Sequence, residues 1–294
     1  MGFRNLEDVA TPAAQKRFSH FAWAHLLAAL AIVLCYAPIW RGLLGQWASD
    51  EDMSHGFVVP LCIAWIVWRE RSRWLKLAPQ PSAWGFLLIA LGTLGHLASA
   101  GGAGLFAGVL AAMVTVAGAV LAIGGFAYLR VWMFPLALTL FMLPKLAVVY
   151  NQLTLPLQMA ATNIAAGILR IFGSHVLVTG NIIHVKNQQI AVEEACNGLR
   201  YLLPLGFLSV MLGYLYGKKP WMRWGLLVAA VPVAIGANAL RVASTAWLML
   251  INPVYGEGLY HELTGILIFT ACLAVMLAIN WIFNRFHRGF HHAA

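Results

Sequence analysis

Cys196 stands in the run Glu193-Glu194-Ala195-Cys196-Asn197-Gly198-Leu199-Arg200, directly ahead of a long apolar stretch where a helix is predicted to begin. The unpaired N–H groups and positive dipole end of a helix start favour a thiolate. Two neighbouring carboxylates push a thiol pKa the other way, so activation calls for a compensating cation. Arg241 is such a cation: Asn238 precedes it by three residues and Ser244 and Thr245 follow at the next turn, which makes one polar stripe along a helix. His261 lies in the polar segment Asn252–Glu262 that follows the same helix. A thiol, a guanidinium and an imidazole delivered to one face of a fold are the inventory of cysteine acyl transfer. Cys196 would attack a peptide carbonyl to give a thioester, His261 would serve as general base or acid, and Arg241 would stabilise the oxyanion or bind substrate carboxylates. Plainer readings stand beside this one: a quiet thiol at a helix cap, a structural or snorkelling Arg, and a solvated loop His.

The remaining reactive groups are less informative. His55, in Met53-Ser54-His55-Gly56-Phe57, either lines the same cavity as Cys196 or caps a helix. His96 reads as a satisfied polar group within an apolar run, His184 as an exposed hairpin residue, and His287, His291 and His292 as tail residues without the partners of a metal site. Cys35, Cys62 and Cys272 sit inside apolar runs, with no Cys-x-x-Cys pair, and read as small buried hydrophobes. The Gly-x-Ser-x-Gly, His-Glu-x-x-His and P-loop patterns are missing, which argues against serine hydrolases, zincins and nucleotide-driven pumps. No metal or cofactor is expected.

The elements that must position these residues are membrane spans. The chain has 294 residues, 61% of them hydrophobic and 10% charged; soluble proteins run at roughly 45–50% and about 25%. That excludes a soluble globular protein. The formal net charge of +9 forms no dense basic stripe, so it is read as a topology signal and not as a nucleic-acid surface. Eight spans are marked by charged or Gly/Pro-rich borders, near 20–40, 56–68, 84–101, 105–124, 126–144, 199–216, 224–250 and 263–283. The first reads as an uncleaved span and not as a signal peptide. With the N-terminus cytoplasmic, 13 of the 19 basic residues fall inside, and Cys196, Arg241 and His261 fall outside. Both termini are then cytoplasmic, with residues 1–19 and 284–294 flanking one membrane domain over 20–283. Counting outward from Trp224 puts Arg241 about 26 Å into a core of roughly 30 Å, and an Arg inside a span faces the bundle interior by default.

Residues 145–195 are expected on the outer face. Polar residues recur at Asn151, Thr154, Gln158, Thr162 and Arg170, with Leu153, Leu157, Ile164, Ile168 and Leu169 on other faces. This predicts an interfacial amphipathic helix over 151–172; a ninth span here would move Lys218, Lys219 and Arg223 outside, against the charge rule. Val176 to Val192 is rich in Val and Ile, with turn chemistry at Thr179-Gly180-Asn181 and again at Lys186 to Gln189, and predicts a small β-hairpin. The fold class is therefore all-α: a polytopic membrane bundle of about eight helices, with an amphipathic helix and a hairpin on the outer face.

Several of these motifs resemble the exosortase family of bacterial membrane proteins. The resemblance rests on Ser54-His55-Gly56-Phe57 running into Val58-Val59-Pro60 and Trp68-Arg69, on Glu194-Ala195-Cys196-Asn197-Gly198-Leu199-Arg200, on Asn238-Ala239-Leu240-Arg241, and on His261 followed by Gly265. It spans about 20–283, with the Cys block its most specific part, and Asn197 departs from the Ser common after the Cys in the family. The resemblance implies that Cys196, Arg241 and His261 are a catalytic trio; His55, Glu194, Asn197, Arg200 and Asn238 are the candidates for substrate-binding or supporting positions. It also implies partners: exported proteins bearing a C-terminal sorting signal made of a short Pro-Glu-Pro motif, a transmembrane helix and a basic tail. Cleavage would occur at the periplasmic face of the inner membrane, with transfer to a surface acceptor, in association with exopolysaccharide production. Two other classes remain in view from the residues alone: a multi-pass transporter or channel lined by the Asn238 and Arg241 stripe, and a non-catalytic scaffold of polysaccharide export.

Overall fold

The computed structural model describes residues 23, 26–186, 188–192, 198–217, 219–256 and 258–292. They fall into two compact units, Met1–Pro144 and Lys145–Ala294. In the first, α1 (Leu26–Cys35) and α2 (Ala37–Ser49) are bent by 69° on either side of Tyr36. Pro38 sits in the first turn of α2, where its missing N–H leaves no bond unmade. The Tyr36 hydroxyl donates to the Gly92 carbonyl at 3.1 Å and lies 2.7 Å from Thr115 Oγ1, which ties the bend to a helical hairpin. That hairpin is α5 (Trp84–Ala98) and α6 (Gly104–Gly124), joined through Ser99–Ala103. Gly102 (φ +115°) and Gly104 (φ +81°) reverse the chain in a region that side chains with a Cβ rarely adopt. The two helices touch through small residues: a Cβ on Gly85 would meet the Ala122 backbone, and one on Gly118 would stand 2.8 Å from Ile89 N. A 3₁₀ turn, Glu51–Phe57, leads into α3 (Val58–Arg69) and the single turn α4 (Arg71–Trp74). Against them packs α7 (Phe126–Leu138), which ends in a 3₁₀ turn, Thr139–Met142.

The second unit contains α8 (Ala147–Ile171), β1 (Val176–Thr179), β2 (Ile182–Val185), β3 (Gln188–Ala191), α9 (Leu199–Tyr216), α10 (Pro220–Ile251) and α11 (Gly258–His292). α9, α10 and α11 run antiparallel in sequence. Gly213 faces Arg223 and Gly198 faces Asn238 across the first pair; Gly225 faces Phe283 and Gly265 faces Arg241 across the second. Leu205, Leu226, Ala230, Ala234, Ile268 and Met276 fill the space between them. The strands form an antiparallel sheet in the order β1-β2-β3, with Thr179 paired to Ile182 and Val185 to Gln188. Ile183, Val185 and Ile190 point from it onto Ala161, Ala165 and Leu169 of α8 and Val242, Ala243 and Ala246 of α10.

The hairpin expected over Val176–Val192 is thus a three-stranded sheet, since both turn signals close on strands. The expected helix forms, and its buried face is mixed: Leu169 goes in with three of the five polar residues, while Asn151 and Arg170 stay exposed. Thr154, Gln158 and Thr162 are buried, while Leu153, Leu155, Met159 and Ile164 are exposed. Thr154 and Thr162 satisfy their hydroxyls on the carbonyls of Tyr150 and Gln158 one turn back, which removes the cost of burying them. α8 also keeps step with α10: Leu157 and Ala161 lie by Val231 to Asn238, and Ile168 to Phe172 by Leu240 to Trp247. It is aligned along α10, and it is not one of the described helices long and apolar enough to cross a membrane.

Among the described residues, four helical stretches are long and apolar enough to cross a membrane: Trp84–Gly124, Leu199–Tyr216, Pro220–Ile251 and Gly258–His287. The bent pair α1 and α2 adds a fifth if it counts as one span, and the first stretch is itself the α5–α6 hairpin. The expected eight is not reached because α3 has 12 residues and Phe126–Met142 is short. Exposed Leu, Ile, Trp and Phe cover the outer faces of these helices, as befits side chains solvated by lipid. The protein is a multi-pass membrane protein.

Candidate functional site

The second unit gathers the described parts of the candidate site around the middle of α10. Gly198 closes the loop before α9 in the left-handed region, with φ +85° and ψ −14°, and its carbonyl accepts from the N–H groups of Tyr201 and Leu202 at 3.1 Å. Glycine adopts this conformation without steric cost, and it places the start of α9 against α10. A Cβ on Gly198 would stand 3.6 Å from Asn238. Cys196, Glu194 and Asn197 lie outside the described residues. Covalent geometry alone keeps the Cys196 Cα within about 7 Å of that of Gly198. Arg200 is half-buried in the first turn of α9.

Asn238 and Arg241 are both interior, and Arg241 is 0% exposed, the largest wholly buried side chain described. A guanidinium cannot shed its charge, so burying it is expensive unless function or specific partners hold it there. Its flank on α11 is Gly265, where a Cβ would stand 3.8 Å from Arg241 Nε and 3.9 Å from Cζ and Nη2. His261 is one helical turn ahead of Gly265 and so on the same face of α11. The antiparallel register that sets Gly265 beside Arg241 sets position 261 level with Thr245, one turn outward; the His261 side chain itself lies outside what is described. The loop start of α9, the middle of α10 and the first turns of α11 thus meet around Asn238 and Arg241.

A small cavity of about 40 Å³ adjoins this point, lined by Leu157, Ala161, Gly198, Leu202, Ala234 and Asn238 among others. Its contribution from α8 was not anticipated in the sequence.

His55 belongs to the first unit, in the 3₁₀ turn before α3. Its Nδ1 lies 3.1 Å from the Asp52 carbonyl. Burial pushes its pKa below the ordinary value, against the backbone of Asp52 and Phe141 and the Asp52 carboxylate, which raise it. No cluster of three His, Cys, Asp or Glu suited to a metal ion occurs among the described residues.

Comparison with known families decides what this arrangement belongs to. The sequence profile of the transmembrane exosortases matches residues 47–278, which is 232 of 294 positions. The chain belongs to the transmembrane exosortase family. No curated protein and no solved structure matches it individually. The exosortase match runs from Trp47 into α11 and takes in His55, the Glu194 to Arg200 block, Asn238, Arg241 and His261. The resemblance drawn from the motifs is therefore a family membership.

Proposed function

We propose that this exosortase is a membrane-embedded cysteine protease or transpeptidase acting on exported proteins. Its substrates carry a C-terminal sorting signal of the Pro-Glu-Pro type, and the cut falls at the periplasmic face of the bacterial inner membrane, with both termini of the enzyme cytoplasmic. What supports this reading is the wholly buried Arg241, set beside the face of α11 that bears His261 and one turn from Asn238, which adjoins the α9 start that follows Cys196. A buried permanent cation beside a helix start compensates the two carboxylates that would otherwise hold the Cys196 thiol protonated.

In the reaction, His261 takes the Cys196 thiol proton and the thiolate attacks the scissile carbonyl carbon. Arg241 stabilises the oxyanion that forms, or pairs with the Glu of the sorting motif, for which its planar fork of donors is suited. Collapse breaks the C–N bond, the leaving amine takes the proton from His261, and the N-terminal product remains as a thioester on Cys196. A water or an acceptor nucleophile then gives a proton to His261, attacks the thioester and releases the thiolate. The substrate's transmembrane helix lies alongside the bundle while its short motif reaches the site.

The test is co-expression with a tagged sorting-signal substrate. The wild-type chain shortens the substrate, and Cys196→Ala inserts into the membrane normally and leaves it full length. Processing that persists in Cys196→Ala would overturn the assignment.

A further inference from the structure

Thr245 Oγ1 is buried with no hydrogen-bond partner among the described residues. Other described Ser and Thr hydroxyls within the long helices settle on a carbonyl one turn back: Thr93 on Ile89, Thr162 on Gln158, Ser209 on Leu205, Thr264 on Tyr260 and Thr270 on Ile266, all at 2.7–2.9 Å. The corresponding acceptor for Thr245 is the Arg241 carbonyl. Thr245 does not take it, although the neighbouring Ser244 follows the rule, its Oγ lying 2.8 Å from Leu240 O and 3.0 Å from Arg241 O. The Thr245 hydroxyl is thus the one left open in this stretch of α10 among the described residues. A buried hydroxyl without a partner is unfavourable, and Val would fill the same volume without that cost.

Its position gives the open hydroxyl a purpose. Asn238, Arg241 and Thr245 are spaced i, i+3 and i+7 on α10, which puts them on one face. Thr245 is one turn outward of the buried guanidinium, and the antiparallel register of α10 and α11 sets it level with position 261. The group that arrives there in the proposed reaction is an extended peptide, whose main chain offers a carbonyl and an N–H at every residue. A hydroxyl both donates and accepts and can meet either.

We infer that Thr245 is a substrate-binding residue, its hydroxyl hydrogen-bonding the main chain of the sorting-signal peptide beside the scissile bond. This rests on the reading of Cys196, Arg241 and His261 given above. The bond is made to the substrate and not to the nucleophile, so it acts on substrate affinity and leaves Cys196 chemistry alone.

The experiment uses the full-length protein in detergent with a synthetic peptide carrying the complete sorting signal. Thr245→Val, which deletes only the hydroxyl, raises KM and lowers kcat/KM by roughly three- to tenfold, the worth of one neutral hydrogen bond. Thr245→Ser, which keeps the hydroxyl, recovers most of that loss. Iodoacetamide alkylation of Cys196 serves as the second readout: its rate and pH profile are unchanged in Thr245→Val, which also shows that the variant is folded. An unaltered kcat/KM in Thr245→Val overturns the inference, as does a Ser variant no better than Val, which would mean packing alone. A shifted alkylation profile also overturns it, because the hydroxyl would then act on the nucleophile. Peptide cleavage that survives Cys196→Ala overturns the underlying assignment, and this inference with it.

Discussion

Gly265 offers a calibrated probe of the buried guanidinium, because the space beside it is known. A Cβ there would stand 3.8–3.9 Å from three atoms of Arg241, which is ordinary van der Waals contact. Gly265→Ala therefore fits without moving Arg241, and alanine gains about 1 kcal/mol over glycine in a helix interior. The variant should be as stable as the wild type or slightly more so, with processing retained. Gly265→Leu adds three carbons beyond that Cβ, extending about 2.5 Å into a gap already closed at contact distance, and overpacking of this kind costs roughly 1–3 kcal/mol. Either α11 shifts or the guanidinium is driven from its place. Because position 261 is one turn away on the same helix face, both outcomes disturb the constellation, and a misplacement of about 1 Å is enough to lose on the order of a hundredfold in rate. The assay pairs thermal melting in detergent with initial rates on the tagged substrate. A Leu variant that processes at the wild-type rate would refute the reasoning, and so would an Ala variant that is inactive though folded.

Other outcomes follow from the same geometry. Arg241→Lys keeps a charge but loses the planar fork, and Arg241→Met removes both; processing should fall by about 10²–10³, the worth of an oxyanion donor, with the protein still inserted in the membrane. Gly198→Ala places a Cβ at φ +85°, which costs roughly 1–2 kcal/mol, and should lower both melting temperature and rate. His55 has its pKa lowered by burial, so the unfolded chain binds more protons than the folded one between the folded pKa and about 6.5. Stability is then full above about 6.5 and declines as pH falls through that window; melting curves from pH 7.5 to 5 should show the decline, and His55→Gln should flatten it.

Legibility in the sequence differed from element to element for physical reasons. The break between the third and fourth expected spans was readable because Gly102 and Gly104 must supply positive φ, and the helices part there. The first sheet turn was readable for the same reason, through Gly180, and the second from the polar run Lys186 to Gln189, though the third strand was not, since four residues ending in an exposed Ala carry little pattern. α8 was legible along the chain, but which of its polar residues are buried was not. In water a polar stripe faces out; in a membrane protein the apolar faces are the ones solvated, and Thr154, Gln158 and Thr162 go in. The span count depended on apolar composition, which cannot distinguish a full crossing from a short helix such as α3. The candidate residues were legible because charge is scarce in this chain, so Arg241 stood out. Their setting was not: Gly198 against Asn238, Gly265 against Arg241 and the open hydroxyl of Thr245 are tertiary facts with no local signature.

The central claim is that Cys196 carries the substrate as a thioester, and intact-protein mass spectrometry after rapid acid quench of a reaction with the sorting-signal peptide tests it most directly. The account predicts a transient adduct equal to the N-terminal product less water, mapped to the Cys196 peptide, removed by hydroxylamine and absent from Cys196→Ala. Substrate shortened at the normal rate with no adduct on Cys196, or by the Cys196→Ala chain, would contradict it.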